Sequence, residues 1–83
     1  MLMKFFSVRD AKTECFLPPF IAHTVGQAER MFADEVQRSG SDFSRHPEDY
    51  VLFGIGDYDD LSGLLTAAPQ PIQISLALDN VKS

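Results

Sequence analysis

The helical signal at Val25 to Arg38 constrains this chain most, because it stands between stretches that read as strands. Val25, Ala28, Phe32 and Val36 recur at spacings of three, four and four, with Met31 on the flank. Glu29, Arg30, Asp34, Glu35, Gln37 and Arg38 lie mostly elsewhere on the wheel, and a single apolar stripe of this kind docks on a sheet. Thr24 stands where an N-cap belongs, Gln27 follows in capping-box spacing, and Gly40 closes the helix. Gly26 in the first turn costs helix propensity, which the cap and the tertiary contact must offset.

On the N-terminal side, Leu2 to Arg9 is Phe- and Val-containing and too short for a convincing helix, so it reads as a strand. Leu2, Lys4, Phe6 and Val8 share one face and Met3, Phe5, Ser7 and Arg9 the other, and alternation does not decide which is buried. Asp10 to Thr13 reads as a turn, and Glu14 to Leu17 as a short returning strand ended by Pro18 and Pro19. Beyond the helix, Ser39 to Glu48 is polar and reads as a loop anchored by Phe43. Tyr50 to Tyr58 has Val51, Phe53 and Ile55 on one side and Tyr50, Leu52 and Tyr58 on the other. Two apolar faces predict a central strand or a covered edge. Asp57 to Gly63 supplies a hairpin turn, Leu64 to Ala67 the second arm, and Pro69 and Pro71 a break. Ile72, Ile74, Leu76 and Leu78 then alternate like a further strand.

These elements predict an α+β fold: an antiparallel sheet of about four strands with one amphipathic helix on one face, ordered β-β-α-β-β, with room for a C-terminal strand. The domain spans residues 1–67, and residues 68–83 form a Pro-containing extension free to pair with the sheet or with another subunit. In 83 residues the core is small, so association is expected, a homo-oligomer with a dimer favoured.

Seven Lys and Arg against twelve Asp and Glu give a net charge of -5 and a pI near 4.7, the reverse of a broad nucleic-acid-neutralising surface. Any DNA contact must be local. The lone Cys15 cannot form an intramolecular disulfide, which favours a reducing compartment. No apolar stretch is long enough for a signal core or a membrane span.

No pattern points to catalysis or a metal, so neither an enzyme, a cofactor nor a metal site is expected. Asp57, Asp59 and Asp60 look calcium-like, but the twelfth loop position counted from Asp57 is Ala68, so a solvated turn explains them better. Cys15, His23 and His46 lack paired zinc-ligand spacing, and Gly54-Ile55-Gly56 has neither the Lys nor the helix of a phosphate loop. The suggestive feature is a basic and aromatic N-terminal segment: Lys4, Phe5, Phe6, Arg9 and Lys12. Basic tracks with aromatic platforms bind single-stranded nucleic acid, although Phe on a strand more often packs a core. Arg30, Arg38 and Arg45 are the reserve cations. Asp42, Glu48, Asp49, Asp57, Asp59 and Asp60 face only Arg45 in their stretch, so charge is polarised along the chain.

At V-R-D-A-K (Val8 to Lys12), F-L-P-P-F (Phe16 to Phe20), G-Q-A-E-R-M-F-A-D-E-V (Gly26 to Val36), H-P-E-D-Y (His46 to Tyr50) and G-D-Y-D-D-L-S-G (Gly56 to Gly63), the chain resembles a known family. That family is the small non-structural protein of gokushovirus-type microviruses, the tailless single-stranded DNA phages. The likeness runs in consistent order over about residues 3 to 65. It implies a non-enzymatic, DNA-binding bacteriophage factor of the host cytoplasm, acting in viral single-stranded DNA replication or packaging. The alternative is a protein-interaction adaptor whose acidic Asp42 to Asp60 surface meets a basic host or capsid protein.

Overall fold

A computed structural model of the chain describes residues 1–81. The fold is α+β: strands β1 (Leu2–Asp10), β2 (Cys15–Phe16) and β3 (Phe20–Ala22), helices α1 (Val25–Gln37) and α2 (Asp42–Arg45), then strands β4 (Tyr50–Asp59) and β5 (Leu65–Leu76). All pairings are antiparallel, in the order β2-β1-β4-β5, with β3 also on β1, so β1 and β4 are central.

The expected returning strand at Glu14 to Leu17 is narrower in the structure. Glu14 sits in the turn with φ 58, and Cys15 and Phe16 pair with Asp10 and Arg9. Pro18 and Pro19 lack N–H donors and interrupt the edge, after which Phe20 to Ala22 resumes pairing with Phe6 to Lys4. That third strand is too short to carry a readable period.

Helix α1 forms as its pattern predicts, ending one residue early. The Thr24 hydroxyl accepts from the Gln27 amide at 3.0 Å, satisfying a donor that the helix start leaves open, and the Gln27 side chain reaches one residue past the cap to accept from the His23 amide at 2.7 Å. Ala28, Phe32 and Val36 are buried against the sheet. The segment expected to be a loop contains the four-residue α2 and a 3-10 turn at Pro47–Asp49. Ser41 joins α2 to α1 by accepting from the Ser44 amide and donating to the Glu35 carbonyl. Phe43 anchors this corner, its ring 4.4 Å from Tyr50 and 5.7 Å from Phe32.

Strand β4 carries a bulge. Phe6 pairs with Gly54 and Phe5 with Gly56, leaving Ile55 as an extra residue. An extra residue reverses the facing of everything after it, so Tyr58 joins Phe53 rather than Leu52. Strand β5 also departs from expectation. It runs through Pro69 and Pro71, because the four residues 68–71 arch away between Ala67, paired with Gly56, and Ile72, paired with Gly54. An edge strand tolerates these prolines. The expected boundary between residues 67 and 68 thus falls inside a strand, and Ala77, in the 3-10 turn Ala77–Asn80, is fully buried. Residues 82–83 of the expected extension lie outside the described residues.

The core gathers Phe6, Val8, Ala22, Ala28, Phe32, Val36, Tyr50, Leu52 and Ala77 between the helix and one sheet face. Leu17, Phe20, Phe43 and Ile74 pack around it.

Candidate nucleic-acid interface

Among the described residues, the sheet's other face has no helix over it. Register places Met3, Phe5, Ser7 and Arg9 of β1 there, beside Phe53 and Tyr58 of β4. Phe5 meets Tyr58 edge-on with ring centroids 6.2 Å apart, and Phe16 of β2 meets Phe53 at 5.4 Å. Phe5, Phe53, Ile55 and Tyr58 are half-buried, and Phe16 is 42 % exposed. Edge-to-face pairs hold their rings in place while leaving apolar surface in water.

Two shallow hollows meet on this face at Pro19 and Ile55. One is bounded by Ser7, Phe16, Pro18 and Pro71, the other by Phe5, Gly56, Leu65 and Ala67. The Ser7 hydroxyl donates to the Leu17 carbonyl at 2.6 Å, tying the chain between β2 and β3 to the floor. Gly56 is required by close approach: a Cβ there would stand 2.5 Å from the Thr66 carbonyl oxygen.

The five residues of the expected basic and aromatic patch do not come together. Phe6 is 1 % exposed and stacks on Phe20 inside the core at 5.7 Å, so its ring presents no face to a base. That corrects its assignment as a platform. Lys4 lies on the helix side of β1 and pairs with Asp57 at 3.6 Å, away from the open face. Phe5 and Arg9 do lie on the open face. Lys12 stands exposed in the turn beyond β1, where its amide donates to Asp10. Among the described residues, Arg9, Lys12 and Arg30 make no ion pair, whereas Arg38 is held by Glu35 and Arg45 by Asp42. The Arg38 guanidinium, bonding Glu35 at 2.6 and 3.1 Å, lowers the Glu35 carboxyl below its ordinary range.

The acidic stretch divides as well. Asp42, Glu48 and Asp49 stand near the start of β4 and Asp57, Asp59 and Asp60 at its far end, about 30 Å apart along a ten-residue strand. Asp59 accepts from the Leu61 amide at 2.9 Å, which lowers its pKa and braces the turn between β4 and β5. At the near end, His46, Glu48 and Asp49 bring one ligand atom each within 4.8 Å of one another. Such a set could touch a cation, but it is a local, solvent-facing turn, and exposed acidic groups commonly stand together without one.

The aromatics Phe16, Phe53 and Tyr58 were absent from the expected site. The alternation of Val51, Phe53 and Ile55 was a usable signal for Phe53; the bulge that recruits Tyr58 left none.

A family model described as phage ORF5 protein matches residues 3–80. The chain belongs to the phage ORF5 protein family. Membership spans the helix, the corner and all five strands, including the proline-containing β5 that the resemblance did not reach. The searches of curated proteins and of solved structures found no match. No helix among the described residues is long and apolar enough to cross a membrane.

Proposed function

We propose that this phage protein is a non-enzymatic accessory of the microvirus type that binds single-stranded DNA on its open sheet face during viral genome replication or packaging in the host cytoplasm. The observation carrying the reading is the pair of aromatic contacts, Phe5 with Tyr58 and Phe16 with Phe53, on a face that no described helix covers. A sheet surface bearing aromatic rings is a stacking platform for unpaired bases, and stacking is indifferent to the protein's overall acidity. Arg9 and Lys12 supply the phosphate contacts at one end. Lys4, engaged by Asp57, contributes little.

Fluorescence anisotropy with a single-stranded oligonucleotide at about 50 and 200 mM salt tests this reading. Two phosphate contacts predict a shallow logarithmic salt slope of about -1.4. Replacing Phe16 and Phe53 together by Ala should weaken binding at least about fivefold, given about 1 to 3 kcal/mol per stacked base. Absence of binding at either salt concentration, or binding unchanged in the double variant, overturns the proposal.

The adaptor reading has one specific support. Asp10 pairs opposite Tyr50 and Asp49 adjoins it, so that burial first, and then Asp10, Asp42 and Asp49, push the Tyr50 phenol above its ordinary value against the opposing pull of Arg45. A basic protein segment would find complementary charge there.

A further inference from the structure

We propose that β5 is the edge through which two copies of this chain associate, joining their sheets side by side. The two sheet edges differ sharply. One is made of the two-residue β2 and three-residue β3, separated by Pro18 and Pro19. The other is the twelve-residue β5, whose outward backbone groups have no neighbouring strand among the described residues. Natural edge strands are guarded by charge, short length, proline or bulges. Leu65–Leu76 contains no charged residue, although 19 of the 83 residues in this chain are charged. Its two prolines are confined to the arch, leaving Ile72 to Leu76 free of proline with one extra residue at Ile74, and Leu65 and Ile72 are 65 % and 60 % exposed.

Charge selects the occupant. Each copy carries -5, so contacts between their acidic surfaces repel, whereas β5 brings no like charges of its own opposite each other. A charged partner strand would find no complementary group on β5. Rows of backbone donors and acceptors are self-complementary about a two-fold axis, which suits an identical chain. The irregular register along β5 keeps the ladder short, so the association is expected to be weak and concentration-dependent. This inference does not rest on DNA binding.

Sedimentation velocity without nucleic acid, from about 5 to 500 µM, tests it. The expected result is a concentration-dependent doubling of mass that the paired substitution Ile72→Lys with Gln73→Lys abolishes. Asp34→Lys, which adds the same positive charge on the exposed side of α1, should leave association intact. As a measurement independent of any variant, amide exchange in β5 should slow as wild-type concentration rises. A wild-type monomer throughout, a dimer that survives the paired substitution, or β5 exchange indifferent to concentration overturns the proposal.

Discussion

The two faces of the sheet use the same strands and similar side chains, yet they have opposite fates. Toward the helix, Phe6, Val8 and Leu52 retain at most 4 % of their surface, while across the sheet Phe5, Phe53 and Tyr58 remain half-buried and Phe16 more open still. What separates them is coverage, since α1, α2 and the Ala77–Asn80 turn all collect on one side. Apolar surface removed from water stabilises the fold in proportion to its area, whereas apolar surface left in water is available for recognition. Phe therefore carries stability on one face and leaves apolar surface in water on the other.

The sharpest way to break this comparison is a matched pair of truncations. Phe32→Ala should lower unfolding free energy by about 3 to 5 kcal/mol, because it empties the centre of the covered face. Phe53→Ala should cost about 1 to 2 kcal/mol, mainly the edge contact with Phe16 and partial burial. Urea denaturation measures both, and equal losses would mean that the open face is structural.

An effect smaller than that at Phe32 is expected at the bulge. Gly56→Ala should destabilise by about 1 to 3 kcal/mol, because its new methyl group meets the Thr66 backbone. Gly54→Ala meets only the flexible end of Ile74, at 3.2 Å, and should cost less. If thermal melts rank the two the other way, the bulge geometry is wrong.

The smallest effect concerns pH. The phenol of Tyr50 on the covered side is raised above its ordinary value, so the folded state holds this proton more tightly than the unfolded one. Its stabilising contribution is complete below about pH 10 and is lost as pH rises through the raised value. Urea midpoints measured at neutral and alkaline pH should show a steeper alkaline fall for wild type than for Tyr50→Phe. Parallel falls would remove Tyr50 from the account.

Helix α1 was legible because its cap and its apolar spacing agree locally: Thr24 caps it and Ala28, Phe32 and Val36 are buried, whereas Val25 stays 37 % exposed and the helix ends at Gln37 rather than Arg38. The two apolar faces of β4 left a central strand or a covered edge open, and its pairing with both β1 and β5 decides for the central place. Strand β3 was not legible, because three residues after two prolines owe their strand state to β1 rather than to their own preference. The same holds for β5, where Pro69 and Pro71 read as a stop but lie in an arch that the neighbouring strand bridges. At the candidate site, Phe5 and Arg9 were legible as neighbours on one strand face. The error over Phe6 came from treating adjacent residues as a patch when adjacent residues in a strand point opposite ways.

The central place of β1 has a consequence for how the chain comes off the ribosome. Its pairing with β2 and β3 is complete within the first 22 residues, but its other neighbour ends at Asp59. At about 5 to 20 residues per second, the interval from the end of α1 to the end of β4 lasts roughly 1 to 4 s. Until β4 has been made, β1 has a vacant strand slot on that side, and Phe6 and Val8 lack Leu52.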